Sequence, residues 1–261
     1  MLTLSLTTIP GQLVRGIYGP DKDLLPKRMR FLHPDAATSF LRFADDVVVS
    51  DMFRSPEASL QAVREGRGAQ SPAFSAHNYG LAIDIDLAPT MKRWKLTSKV
   101  ELDRSMAQLG WFCHRCDHAL GPEAWHFNFL GEDAAIPGGL RVTSGLIEAR
   151  IVELHGASLG PDDRECQEML AKLRLYAGEI DGDIGPLSRE AIRAFQRTWG
   201  LRETEGLDAR TRRTLAYVTA VRNVAVGRPG APELQGFAVT RCGGSCPRSD
   251  ALTLDRPYRS S

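Results

Sequence analysis

Residues 81–87 constrain the fold more than any other part of this sequence, because apolar and acidic side chains alternate from Ile83 to Leu87. The two isoleucines and the final leucine fall on one face of an extended chain, and Asp84 and Asp86 fall on the other. This period of two predicts a half-buried strand. Residues 125–129 alternate in the same way and predict a second strand.

Helical patterns surround these two predicted strands. Three segments carry apolar residues at helical spacing, namely residues 35–43, 55–63 and 101–109. The middle segment opens with Ser55, Pro56 and Glu57, which supply an N-cap, a proline suited to the first turn and an acidic first turn. Helices mixed with short strands predict an α+β domain, which we place at residues 1–132.

The C-terminal part of the chain has a different pattern. Glycine and proline interrupt the periodic sequence at residues 133–145, which predicts a linker. Helical spacing then returns in three segments, residues 164–175, 187–199 and 209–218, with Asp208 as the N-cap of the last one. These segments predict a small all-α three-helix domain at residues 146–220, followed by an irregular tail at residues 221–261.

Charge and hydropathy exclude several classes of protein. The 261 residues include 33 basic and 32 acidic ones, so no net field favours nucleic acid as a partner. No apolar run approaches the roughly 18 residues of a spanning helix, and we expect no membrane insertion. Residues 1–10 lack the features of a secretory signal, so we expect synthesis in the cytoplasm and release by another factor. The oligomeric state stays open, with a monomer expected.

Two histidines and one carboxylate are candidate metal ligands. Neutral imidazole and carboxylate groups suit zinc, and a catalytic zinc site usually has three protein ligands. A turn at Gly80 that leads into the predicted strand can bring His77 back over Asp84, and His126 is the third candidate. Glu123 lies three residues before His126, where a carboxylate can act as a general base on water. Each residue alone is a weak signal, and the prediction rests on their combination.

In this combination the sequence resembles a metallopeptidase family. The family comprises the D-alanyl-D-alanine carboxypeptidases and dipeptidases and includes phage L-alanyl-D-glutamate endolysins. Its pattern is Ser-x-His-x-x-Gly-x-Ala-x-Asp, followed downstream by Glu-x-Trp-His. Residues 75–84 and 123–126 match every fixed position. The resemblance covers about the first 130 residues and implies a zinc peptidase domain with a small antiparallel sheet and flanking helices.

The resemblance also implies roles for individual residues. It implies that Zn²⁺ is held by His77, Asp84 and His126 and that Glu123 is the catalytic base. The segment Phe53-Arg54-Ser55 is similar to a Tyr-Arg-Ser segment of the family, with Phe in place of Tyr. Arg54 is thereby implied to stabilise the oxyanion that develops on the scissile carbonyl.

Three further residues are candidates for contact with the substrate. These are Ser75, Tyr79 and Trp125, which lie within the two matched motifs. For Ser75 the alternative is a local hydrogen bond to the backbone, which is common for a serine beside a turn.

Five cysteines add an open question. Residues 113–118 contain two cysteines and two histidines, which is the ligand content of a second zinc site. No further ligand pair lies at a compatible spacing, so we favour a loop beside the active site. Cys242 and Cys246 in the tail, like Cys166, have no assigned role.

The C-terminal part, about residues 146–218, resembles the three-helix peptidoglycan-binding domain of cell-wall hydrolases. The residues that carry the likeness are Leu170, Leu173, Gly178, Asp181, Gly182, Gly185, Pro186, Ala191, Phe195, Gln196, Gly200 and Leu201. Glu205-Gly206 departs from the pattern, which has a second Asp-Gly there. The likeness implies peptidoglycan as a partner, and we expect Phe195 and Trp199 to lie in the core of the domain.

The leading hypothesis is therefore a zinc-dependent peptidoglycan peptidase that cleaves a stem peptide or cross-link, in the setting of a phage-type endolysin. One alternative is a host D-alanyl-D-alanine carboxypeptidase. Another, of a different class, is a cell-wall binding protein without catalysis. The sequence leaves the cleaved bond open.

Overall fold

The computed structural model describes residues 2–10, 13–14, 30–66, 71–113, 123–134, 136, 142–155 and 160–225. Within these ranges the strands are β1 (Thr7–Thr8), β2 (Phe31–Leu32), β3 (Val49–Asp51), β4 (Ala82–Ile85), β5 (Trp111–Cys113) and β6 (His126–Phe129). The helices are α1 (Pro34–Leu41), α2 (Pro56–Arg64), α3 (Leu87–Trp94), α4 (Lys99–Gln108), α5 (Ser144–His155), α6 (Asp163–Lys172), α7 (Pro186–Thr198) and α8 (Ala209–Ala225). Short 3-10 helices span Ala44–Asp46 and Ala76–Tyr79. The predicted α+β class is confirmed.

The main sheet has four antiparallel strands in the order β3-β4-β6-β5, and β1 pairs with β2 in a separate two-stranded sheet. In the main sheet Ile83 pairs with Phe127 and Asp84 pairs with His126. Paired residues share a face, so the first pair enters the core, where both side chains are fully buried. The second pair lies on the opposite face. The two alternating segments thus form adjacent strands.

Side-chain caps begin helices α2 and α6, and the cap of α2 is the predicted one. Ser55 is the N-cap of α2, and its side chain accepts a hydrogen bond from the amide of Ala58 at 3.2 Å. Asp162 caps α6 in a capping box with Glu165, since each side chain bonds the other's backbone amide. These bonds satisfy amides that the first helical turn leaves unpaired.

Some of the predicted boundaries are wrong. The predicted strand at residues 81–87 ends at Ile85, because Asp86 occupies the N-cap position of α3 and Leu87 already belongs to that helix. Helix α5 begins at Ser144, inside the predicted linker. Its apolar residues are spread around the helix, so it lacks the one-sided stripe that would have predicted it. Helix α8 continues to Ala225, seven residues beyond the predicted end.

The three C-terminal helices have the predicted order and core. Ile192 and Phe195 of α7 are fully buried, and Trp199 is only 5% exposed. Two buried glutamines fix the connecting loops. Gln167 accepts from the amide of Gly182 at 2.7 Å, and Gln196 accepts from the amide of Thr204 at 2.9 Å.

Residues 1–226 form one compact unit, in which the helical region packs directly on the α+β region. The predicted division into a peptidase domain, a linker and a binding domain stays a prediction. Nearly all of the predicted tail, from residue 226 onward, lies outside the described residues. Among the described helices, none combines the length and apolar character that a membrane span requires.

Candidate metal centre

A tight turn places the first candidate ligand. The 3-10 helix Ala76–Tyr79 is capped by Ser75, whose hydroxyl accepts from the amide of His77 at 3.3 Å. Gly80 then ends the turn with a φ of +68°, a left-handed conformation that suits glycine. A Cβ at Gly80 would also lie 2.7 Å from the backbone nitrogen of His33. The predicted return of His77 toward Asp84 is therefore present.

The three predicted ligands meet at one point. His77 Nε2 lies 3.2 Å from Asp84 Oδ1 and 3.1 Å from His126 Nδ1, and the last two atoms are 2.8 Å apart. Zinc binds such atoms at about 2.0–2.1 Å in a tetrahedron, which separates neighbouring ligand atoms by about 3.3 Å. The triangle of ligand atoms is thus close to the size that a zinc ion needs.

In both imidazoles the ring nitrogen that points away from Asp84 also has a hydrogen-bond partner. His77 Nδ1 donates to the carbonyl oxygen of Met52, and His126 Nε2 lies 3.1 Å from Asn128 Oδ1. Donation from these nitrogens leaves a lone pair on each nitrogen that faces Asp84. Three electron-rich atoms then converge, and only a proton or a metal ion between them relieves their repulsion. The set forms a site that can hold a metal ion.

Sequence reasoning missed both of these partners. Asn128 lies two residues after His126 in β6, and period-two spacing puts both side chains on the same face, so the pattern contained a signal for it. The Met52 partner is a backbone carbonyl, and no side-chain pattern indicates a backbone atom.

Charges in the site favour the ionised form of the Asp84 carboxyl group. Burial alone would raise the pKa of Asp84, but the neighbouring His77 and His126 outweigh burial and hold this pKa well below its ordinary value. Burial likewise opposes a charge on His126, yet Asp84 and then Glu123 raise its pKa above the ordinary value. Asp84 is therefore a carboxylate over the physiological pH range, as a metal ligand must be.

Arg54 lies beside the ligands, as predicted, and is anchored by a carboxylate that the sequence did not single out. Its guanidinium bonds Asp51 through Nε at 3.1 Å and through Nη2, and Nη2 is 3.9 Å from Asp84 Oδ2. Asp51 pairs with Asp84 across β3 and β4. Asp51, Asp84 and His126 therefore form one row across three adjacent strands, with Arg54 beside it.

Glu123 and Trp125, two further predicted site residues, are both exposed to solvent. Glu123 is exposed, has a φ of +68°, and is close enough to His126 for its charge to act on the imidazole. Its carbonyl accepts from the amide of His126 at 2.9 Å, which closes the turn into β6. Trp125 is 46% exposed. The base role of Glu123 and the substrate contact of Trp125 stay predictions.

The structure gives two other predicted substrate contacts a different role. Tyr79 is fully buried and its hydroxyl donates to the carbonyl of Ala73 at 3.0 Å, so it has no surface to offer a substrate. Ser75 caps the turn that carries His77, which is the alternative considered from the sequence. Both residues shape the backbone of the site.

The cysteine-rich segment lies mostly outside the described residues, as do Cys242 and Cys246. Cys113, at the end of β5, is disulfide-bonded. A disulfide sulfur is not a thiolate, and zinc requires the thiolate. Cys113 therefore does not support the second zinc site that its segment suggested.

Comparison with known protein families identifies one region. Residues 160–215, which contain α6, α7 and the first part of α8, match the family model of a peptidoglycan binding domain. The match indicates association with the cell wall and supports the sequence resemblance for this region. A comparison with curated proteins gave no match. The resemblance of the first 130 residues to zinc peptidases rests on the motif residues and stays a prediction.

Proposed function

We propose that this protein is a zinc-dependent peptidase that hydrolyses an amide bond in the peptide part of peptidoglycan. The observation that carries the proposal is the convergence of one nitrogen of His77, one oxygen of Asp84 and one nitrogen of His126 within 4.8 Å of one another. Two imidazoles and one carboxylate are the ligand set of a catalytic zinc site that keeps a fourth position open.

The residues around the ligands supply the remaining chemistry. His77, Asp84 and His126 would hold the zinc ion, which would supply Lewis-acid chemistry toward water and the scissile carbonyl. Glu123 takes a proton from the attacking water and delivers it to the leaving amine nitrogen. Arg54 faces the same cluster with a fixed positive charge, which stabilises the negative charge that grows on the carbonyl oxygen. Exposed Trp125 offers an apolar surface beside Glu123 for the substrate.

The helical region supports peptidoglycan as the polymer on which the enzyme acts. Residues 160–215 match a peptidoglycan-binding domain and lie in the same compact unit as the candidate metal ligands. Binding to the polymer raises the local concentration of cleavable stem peptides. We place the enzyme in the setting of a phage-type endolysin that reaches the wall after release.

The first test compares the wild type with Glu123→Gln, which keeps the size of the side chain and removes its basicity. We expect hydrolysis of purified peptidoglycan to fall by about 10²-fold or more, with zinc content unchanged. Glu132→Gln is the matched control, because Glu132 is an exposed partner of Arg42. The proposal would be refuted if the wild type, Glu123→Gln and wild type treated with a zinc chelator all cleared wall suspensions equally. Wall binding without clearing would then favour the non-catalytic alternative.

The second test identifies the bond. Digested peptidoglycan is analysed by mass spectrometry for new chain termini. New amino groups inside the stem support an endolysin, and release of terminal D-alanine alone supports the carboxypeptidase.

A further inference from the structure

Helix α8 reaches the candidate active site with a buried tyrosine. Tyr217 is fully buried, and its hydroxyl donates to the backbone carbonyl of Arg54 at 2.7 Å. Its ring also packs against Tyr79, with ring centroids 5.5 Å apart. Burial raises the pKa of Tyr217 well above its ordinary value, so the hydroxyl keeps the proton that it donates. Tyr217 lies two residues beyond the segment that matches the peptidoglycan-binding family.

The backbone carbonyl and the backbone amide of Arg54 both form hydrogen bonds. Its carbonyl accepts a second hydrogen bond from Asn78 Nδ2 at 2.8 Å, and its amide donates to the carbonyl of His77 at 3.1 Å. Tyr217 and Asn78 therefore hold one oxygen from two different parts of the chain. The same backbone joins Arg54 to the turn that carries a metal ligand.

Neighbouring residues of α8 hold the segment that leads into this turn. Arg213 Nε donates to the carbonyl of Ala73 at 2.7 Å, and Thr214 donates to the carbonyl of Pro72 at 3.3 Å. The Arg213 guanidinium also lies 4.6 Å from the ring centre of Phe74. Ala73 has a φ of +77°, a conformation that costs an alanine free energy and needs support from its surroundings.

We propose that Tyr217 is a positioning residue of the active site: its hydroxyl fixes the backbone of Arg54 and so aims the guanidinium at the scissile carbonyl. This inference rests on the proposed function. It gives helix α8 a task within catalysis, in addition to any contact with the polymer. The effect of α8 should then appear on substrates that contain no glycan.

The test uses Tyr217→Phe in the full-length zinc-loaded chain, with a soluble glycan-free stem peptide as substrate. The variant keeps the ring and removes only the hydroxyl, and the Arg54 carbonyl still accepts from Asn78. We expect kcat to fall about tenfold and KM to change little, because misplacement of a charge that acts in the transition state lowers kcat. Tyr176→Phe is the matched control, since Tyr176 bonds the carbonyl of Glu179 in the helical region. It should leave kcat unchanged.

A double-mutant cycle separates positioning from general destabilisation. In an Arg54→Ala background, Tyr217→Phe should lower kcat by less than about twofold, because the group that it positions is absent. A full tenfold loss in that background would overturn the proposal, and so would an unchanged kcat in the single variant.

A second readout needs no turnover. Hydrogen exchange of the Arg54 amide, which bonds His77, should be about tenfold faster in Tyr217→Phe and unchanged in Tyr176→Phe. Unaltered exchange in Tyr217→Phe would overturn the positioning role. If the wild type leaves every stem peptide intact, the proposed function fails by itself, and the exchange measurement still decides whether Tyr217 holds Arg54.

Discussion

At the scale of single residues, the candidate metal centre combines one cross-strand pair with one turn residue. Asp84 and His126 face each other because β4 and β6 pair in that register, and a shift of one residue would move both to the opposite face. His77 joins them from a glycine-terminated turn. The position of each ligand thus follows from hydrogen bonds of the backbone, and the outer hydrogen bonds orient the imidazole rings.

The bond between His126 and Asn128 gives a prediction at this scale. Asn128→Ala should weaken zinc binding by about 10–100-fold, because loss of the outer partner leaves the imidazole without a fixed tautomer and orientation. Competition with a chromophoric chelator measures the affinity. Asn128→Asp is the control, since it keeps an acceptor for His126 and should retain more of the affinity. Equal affinity in Asn128→Ala and wild type would contradict the role of this residue.

At the scale of elements, helix α5 packs its C-terminal residue against the turn that carries His77. His155 is buried, and its Nε2 donates to the carbonyl of Tyr79 at 3.2 Å. The centroid of its ring lies 5.1 Å from that of the His33 ring. Burial and then the charge of His33 lower the pKa of His155 to about 4. The native packing therefore requires a neutral imidazole.

This packing predicts a loss of stability in acid. An unfolded chain protonates His155 near pH 6.5, whereas the folded chain resists protonation down to about pH 4, so the unfolded state binds more protons in this window. The free energy of unfolding should fall as the pH is lowered through the window, by on the order of 3 kcal/mol from His155. Denaturant titrations between pH 7 and 4.5 in chelator measure this effect.

The control for this prediction is His155→Gln, which does not titrate. Its unfolding free energy should depend less steeply on pH, and the difference between the two proteins isolates His155 from other acid-sensitive groups. Parallel pH profiles would contradict the assignment.

At the scale of the whole molecule, the α+β part and the helical part share one compact unit. Arg213, Thr214 and Tyr217 bond to backbone carbonyls of residues 54, 72 and 73. We therefore expect the helical region to support the candidate site structurally.

Truncation tests this architecture. A chain that ends at residue 145 loses α5 and α8, which leaves Tyr79 and the carbonyls of residues 54, 72 and 73 without partners that they have in the full chain. We expect the truncated chain to lose cooperative thermal unfolding and activity on glycan-free peptides. Calorimetry and near-ultraviolet circular dichroism measure whether unfolding is cooperative. Cooperative unfolding at the temperature of the full-length protein would show that the two parts are independent.

The sequence alone determined the residue chemistry and part of the local structure of this protein. Alternation of apolar and polar residues indicated the strands β4 and β6, and caps located α2 and α8. The spacing of two motifs selected the three residues that meet at the candidate metal centre. These features depend on neighbours within a few residues, so a linear pattern records them.

Only the tertiary structure decided which groups support the site. The Met52 carbonyl that bonds His77 and the Tyr217 hydroxyl that bonds the backbone of Arg54 come from distant parts of the chain. For the same reason the sequence could not show that Tyr79, a candidate substrate contact, is buried and bonds the backbone of the site. Long-range hydrogen bonds to backbone atoms have no side-chain period, and folding alone brings their partners together.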